Sequence, residues 1–313
     1  MALDPDFRDY LDLAAADPSV APIASLTPAG MRDRQRRTTR AFAGAAPAVD
    51  PVRELTIEGP AGNLRARLYA PLNAAEAGLP GVVFFHGGGW VGGDLDTHDV
   101  LCRTLSAESG ARLVAVDYRL APEHRFPAAA LDAVAATEWV AVHGNTLGID
   151  PKQLAVAGDS AGGNLAAVVA QEARAHGRVL AMQLLIYPVT GLDLDTPSYH
   201  ENAKGYGLER EDMRWFFDHY APDPSDPRAA PIRAHDLKGL APSLILTAGY
   251  DPLRDDGRRY AQALREAGND VELREYDGMI HGFATLAGVS AAARAAVVEA
   301  ARTLGAALRQ VQN

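Results

Sequence analysis

From about Val52 onward, short apolar runs alternate with long helical patterns, and this alternation confines the chain to a small group of folds. VRELTIEG and LRARLYAP, beginning at Val52 and Leu64, alternate apolar and polar residues between turn signals, as half-buried strands do. GVVFF (81–85), LVAVDY (113–118), LAVAG (154–158), AMQLLIY (181–187), SLILTAG (243–249) and VELREY (271–276) follow, most of them apolar throughout. Helical patterns at about 97–109, 127–143, 162–176, 255–267 and 289–311 separate them. Apolar strands alternating with helices predict a mostly parallel central sheet covered on both faces, an α/β fold.

Two regions stand outside that rhythm. In residues 1–50, Asp6–Ala16 reads as a helix, and Thr27-Pro28 supplies a cap and a first position for another running to about Phe42. Arg32, Arg34, Arg36, Arg37 and Arg40 lie on that second helix; a site for an anionic partner is one reading of them, and a solvated face is the expected one. Thr190–Leu240 holds one helix, about Glu209–Tyr220, among proline-rich loops. A detour of that length between sheet strands is usually functional. The expected organisation is a core of 51–189 and 241–313, with 1–50 and 190–240 forming a helical cap over the strand ends.

Composition excludes several function classes. The chain has 313 residues, 40 acidic against 30 basic, for a formal charge of −10. That balance argues against nucleic-acid binding, which needs a basic surface. The single cysteine, Cys102, excludes an internal disulfide and cysteine-rich metal sites, and reads as a small buried apolar residue. MALDPDFRDYLDL is acidic where a secretory leader is basic, and no stretch reaches 18 apolar residues. The expectation is a cytoplasmic protein without a membrane segment.

Gly158-Asp159-Ser160-Ala161-Gly162 matches G-x-S-x-G. The strand LAVA precedes it and the helical GNLAAVVAQEARAHG follows, which is the strand–turn–helix that exposes a serine on a tight elbow. A serine hydroxyl needs a base, and the base needs an orienting acid. Among the later histidines, His176 ends a helix, and His200, His219 and His235 fall in the detour. His281 alone follows the last strand, in DGMIHGF. Asp251 directly follows SLILTAGY and so ends a strand. Asp255, Asp256 and Asp277 compete with it, although the first two better suit the next helix's N-terminus. His86-Gly87-Gly88-Gly89-Trp90 follows GVVFF and offers bare amides to a developing oxyanion.

Rival readings are weaker. Gly87-x-Gly89-x-x-Gly92 also fits a dinucleotide fingerprint, but it leaves Ser160, Asp251 and His281 unexplained. Asp94-x-Asp96-x-His98-Asp99 has metal-ligand residue types, yet reads better as the cap of a helix starting near Thr97. Trp215, Phe216, Phe217 and Tyr220 have helical spacing and predict packing of lid on core, with some of them lining a pocket.

HGGGW (86–90), DYRLAPEHRFPAA (117–129), GDSAGGNLAA (158–167), YDPLRDDG (250–257) and IHGF (280–283) together resemble the bacterial hormone-sensitive-lipase-like, or family IV, esterases of the α/β-hydrolase fold. The resemblance implies Ser160 as nucleophile, His281 as base and Asp251 as its orienting acid. It implies Gly88, Gly89 and Ala161 as oxyanion donors, and His86 as support for the glycine loop. The hydrolase reading takes a small-molecule ester and needs no metal or organic cofactor; a cover over the strand ends predicts a pocket of ordinary size, roughly 300–1,000 Å³, and so best turnover on esters of short to medium acyl length. Many members of that family dimerise, so a homodimer is a further expectation.

Overall fold

The computed structural model describes residues 2–17 and 20–310. The first two helices begin where side chains satisfy otherwise unpaired amides. Asp4 accepts from Asp6 and Phe7 at the start of α1 (Pro5–Ala16), and the Thr27 hydroxyl accepts from Gly30 at the start of α2 (Pro28–Phe42). A hairpin follows, β1 (Arg53–Gly59) and β2 (Gly62–Tyr69). Alternation then sets in: β3 (Leu79–Phe85), α3 (Asp99–Ser109), β4 (Arg112–Asp117), α4 (Ala128–His143), β5 (Ile149–Asp159), α5 (Ala161–Ala175) and β6 (Gln183–Ile186). A long excursion carries the short α6 (Pro197–Glu201) and α7 (Arg210–Tyr220). The chain closes with β7 (Ser243–Tyr250), α8 (Arg254–Glu266), β8 (Val271–Ile280) and α9 (Ala291–Gln310).

The eight strands form one sheet in the order β1-β2-β4-β3-β5-β6-β7-β8. The pairs β1–β2 and β2–β4 are antiparallel, and the other five are parallel. Because neighbouring side chains on a strand point to opposite faces, each central strand feeds two cores. Val83, Phe85, Val114, Val116 and Ile245 pack with α4, α5 and α8. Val82, Phe84, Leu113, Ala115, Leu244 and Leu246 pack with α3 and α9, and Cys102 is buried among them. Helices on both faces explain why these strands read as continuous apolar runs.

Several elements differ from the sequence expectation, and the excursion, read as holding one helix, holds two, α6 and α7. β5 begins at Ile149, because Ile149 pairs with Leu79 before the register shifts at Gly81. α3 begins at Asp99 and takes no side-chain cap; Asp94 instead closes the preceding turn by accepting from Asp96 and Thr97. β8 continues past Tyr276 to Ile280. Opposite it, Ala248 pairs with Tyr276 and Tyr250 with Ile280, so four residues answer two across a bulge. Residues 277–280, which read as a flexible loop, are strand. Among the described residues, no helix is long and apolar enough to cross a membrane.

Candidate active site

β5 ends at Asp159 and α5 begins at Ala161, so Ser160 makes the whole turn, with φ +53° and ψ −119°. A non-glycine residue held in that region costs roughly 1–3 kcal/mol, sustained only where the surroundings fix it. Here the Ser160 amide donates to the Ile186 carbonyl (2.9 Å), and its carbonyl accepts from Asn164 (3.1 Å) and Val189 (3.2 Å). The crossing is also sterically tight. A methyl group on Gly162 would overlap the Phe85 carbonyl oxygen, so only glycine lets α5 approach β3.

Strand ends deliver the partners of Ser160. Asp251 directly follows β7 and is fully buried. One of its carboxylate oxygens accepts from the Leu253 amide (2.8 Å), and the other lies 2.7 Å from His281 Nδ1. Asn202 donates to the Asp251 main-chain carbonyl (3.1 Å) and fixes it from the excursion side. His281 sits one residue past β8, and its Nε2 lies 3.0 Å from Ser160 Oγ. The Tyr187 ring, 4.7 Å from the imidazole, backs it from the other side. Ser160, His281 and Asp251 thus meet at the carboxyl ends of parallel strands, where α/β sites form.

The competing residues are engaged elsewhere. Asp255 accepts from the Ser198 amide and pairs with Arg254 and Arg258. Asp256 is buried in the first turn of α8, and Asp277 belongs to β8. His200 pairs with Asp195, His176 and His219 face carbonyls of their own helices, and His235 is exposed.

After β3, Gly88 (φ +120°) and Gly89 (φ +61°) adopt backbone that only glycine tolerates readily. The Gly88 carbonyl accepts from Gly92 (2.8 Å) and Val91 (3.1 Å), whereas the Gly88 and Gly89 amides donate to no other described residue. Both glycines line the same cavity as Ser160, and Ala161 is the first residue of α5. A buried polar layer supports this loop. Asp159 accepts from the Gly87 amide (2.8 Å) and lies 3.2 Å from His98 Nε2. Burial alone would raise the Asp159 carboxyl, but His98 and the Gly87 amide outweigh it and hold it below the usual carboxylate range. His86 stacks on Tyr118 with ring centroids 4.3 Å apart. Burial, with His98 beside it, lowers its pKa to about 4, so it is neutral at pH 7.

The sequence reading missed Asp159 and His98 as supports. A charged residue inside an apolar strand demands a buried partner, and that demand was the available signal. The α2 arginines were also misread. Arg32 donates to the carbonyls of Val91 (2.7 Å) and Ala121 (2.9 Å), and Arg34 lines the cavity. These two are not part of a solvated face.

The cavity measures about 200 Å³ and takes its walls from both regions outside the sheet rhythm. Tyr10, Ile23, Met31, Arg34, Gln35 and Thr38 come from residues 1–50. Leu208, Met213 and Phe216 come from the excursion. It is smaller than the roughly 300–1,000 Å³ of ordinary ligand pockets. The cause is close packing on the glycine loop: the Phe216 ring lies where a Gly89 side chain would be, and Met31 and Gln35 lie against Gly92.

Comparison with known proteins identifies the family. The profile of the alpha/beta hydrolase fold family matches residues 82–285. The carboxylic ester hydrolase LipN of Mycobacterium tuberculosis is 45% identical over 265 residues, 82% of this chain and 70% of that protein. An ethyl acetate hydrolase of Pseudomonas putida is 39% identical over 294 residues, 90% of this chain and 92% of its own length. The solved structure of a hyperthermophilic esterase from Pyrobaculum calidifontis superposes with a TM-score of 0.92 at 41% identity, covering 98% of this chain and 99% of that one. Fold, motif order and relatives together place the chain in the α/β-hydrolase family, among its hormone-sensitive-lipase-like esterases.

Proposed function

We propose that the protein hydrolyses carboxylic esters of short to medium acyl length, with Ser160 as nucleophile. The observation that carries this reading is the single imidazole of His281 set between Ser160 Oγ at 3.0 Å and the Asp251 carboxylate at 2.7 Å. As Oγ forms its bond to the ester carbonyl carbon, its proton passes to His281 Nε2. Asp251 holds the Nδ1 proton and stabilises the imidazolium. The carbonyl oxygen becomes an oxyanion facing the amides of Gly88, Gly89 and Ala161. When the carbon–oxygen bond to the alcohol breaks, His281 returns its proton to the departing alkoxide. Water, deprotonated by the same imidazole, then cleaves the acyl–serine bond, releases the acid and restores the hydroxyl.

Residues 1–50 and 190–240 act in this reading as a cap that sets substrate size, and the small cavity supports short acyl groups. The setting is cytoplasmic, where the buried Cys102 thiol needs no disulfide partner. Dimerisation is the family expectation, and light scattering tests it.

The central test is labelling with an organophosphate followed by mass spectrometry. The adduct is expected on Ser160, and Ser160→Ala is expected to lose ester turnover down to a residue of about 10³–10⁴-fold over water. An adduct on another residue overturns the assignment. 4-Nitrophenyl esters of increasing acyl length test the size limit, and faster hydrolysis of long chains overturns it.

A further inference from the structure

The cavity wall divides by chemistry as well as by segment. Val189, Leu208, Met213, Phe216, Ile280 and Leu286 make one side apolar. The N-terminal segment adds Tyr10, Arg34, Gln35 and Thr38. Arg34 and Thr38 are four apart on α2 and share a face, while Gln35 and Met31 share the adjoining face against Gly92. Gln35 Oε1 is buried and has no hydrogen-bond partner among the described residues. The Arg34 guanidinium has five N–H donors, yet the hydrogen bond it makes among the described residues is to the Ala21 carbonyl, and no carboxylate there lies within 4.0 Å of it.

Two titratable groups of neighbouring elements feel the Arg34 charge, Tyr10 and Asp212. Neither makes an ion pair with it among the described residues. The Tyr10 phenol is driven up by burial, and the Asp212 carboxylate is occupied by the amides of Ala24 (3.1 Å) and Glu209 (3.1 Å). A plain alkyl ester filling this small cavity would strip water from the guanidinium and give it nothing in return, which is costly for a charged group. An ester that carries its own anion removes that cost.

We propose that Arg34 is a specificity-determining residue, and that the substrates of this site are short esters bearing a free carboxylate on their acyl or alcohol arm. This deepens the ester-hydrolase reading and rests on it. Beside the guanidinium, the Thr38 hydroxyl and Gln35 Nε2 are the groups that can donate to a carboxylate, whereas Gln35 Oε1 can only accept. The net charge of −10 does not forbid an anion here, because distant charges are screened beyond about 10 Å at 0.1 M salt and a contact pair is not.

Two matched pairs test the proposal: 4-nitrophenyl butyrate against mono-4-nitrophenyl glutarate, and ethyl butyrate against carboxymethyl butyrate. In at least one pair the carboxylated ester is expected to have about ten- to hundredfold higher kcat/KM, carried mainly by KM, as befits a charged hydrogen bond. That ratio is expected to fall close to one in Arg34→Met, to return in part in Arg34→Lys, and to shrink as salt rises. Preference for the neutral ester in both pairs overturns the proposal. So does an equal loss on both members of a pair in Arg34→Met, the mark of a purely structural role. Glutarate binding to Ser160→Ala, followed by calorimetry, gives a readout independent of turnover and of whether Arg34→Met folds. Absence of binding there overturns the proposal, whereas failure of the wild type to hydrolyse any ester contradicts the Ser160 assignment instead.

Discussion

At the scale of single residues, four aspartates stand within reach of the His281 region in sequence, and their surroundings separate them. Asp251 offers an oxygen to Nδ1, while Asp255 is tied up by Ser198, Arg254 and Arg258. Asp251→Asn is expected to lower kcat by about 10⁴ with the fold intact, because the wrong imidazole tautomer is then stabilised. Asp255→Asn and Asp277→Asn are expected to cost far less, and steady-state kinetics with circular dichroism checks both. Asp256 poses a different problem. Burial raises its carboxyl well above the ordinary value, against the opposing hydrogen bonds from the Thr190 and Gly191 amides. Its folded pKa exceeds its unfolded one, so its contribution to stability is complete below about pH 4. That contribution is lost as pH rises toward the folded pKa, by about 1.4 kcal/mol per pH unit within the window. Asp256→Asn removes this slope. Urea unfolding of the two proteins is expected to show a difference that grows in favour of the variant from pH 4 upward, and a constant difference contradicts the assignment.

At the scale of elements, the strands were legible because burial on both sheet faces writes itself as an apolar run. The strand order was not, because pairing across the sheet is non-local and leaves no local pattern. The extension of β8 over residues 277–280, with its register shift opposite Ala248–Tyr250, also left no sign in the sequence reading, which ended that strand at Tyr276. The turn at Ser160 and the places of Asp251 and His281 just past strands were legible from motif and chain order. The environment of α2 was hidden, because what surrounds its arginines is set by loops about 60 and 90 residues away. That distance has a functional side. Arg32 joins α2 to the carbonyl of Val91, two residues past Gly89, and to Ala121 and Glu123. The Glu123 carboxyl, held down to about 2 by the Arg32 hydrogen bond, is nevertheless largely exposed, so water screens the pair. Glu123→Gln is therefore expected to change kcat and stability little. Arg32→Met leaves two carbonyls without donors and frees the glycine loop. It is expected to lower kcat about ten- to hundredfold, since a misplacement of 1 Å costs that much. Equal effects of the two substitutions would show that the charge pair, not the carbonyl contacts, holds α2.

At the scale of the whole molecule, the site draws its walls from Tyr10 through Leu286, so no contiguous fragment contains it. Deleting residues 1–45 removes one wall and exposes Met279, Ile280 and Phe283, which Phe7 helps cover. Such a truncation is expected to lose ester turnover and to bind a hydrophobic dye, although Ser160, Asp251 and His281 remain. Undiminished, equally selective hydrolysis would remove the N-terminal segment from the site. The same segment is fastened to the far end of the chain. The Asp4 amide donates to Gly278, Ser290 donates to the Asp4 carboxylate, and the Gly288 amide donates to Phe42. During synthesis the first two helices leave the ribosome about 250 to 290 residues before these partners exist, and closing so distant a contact is slow. Through Arg32, α2 can meet the Val91 and Ala121 carbonyls early, whereas the ties of Asp4 must wait for Gly278 and Ser290. The fastening of α1 over the end of β8 therefore stays open until the stretch that carries His281 has been made.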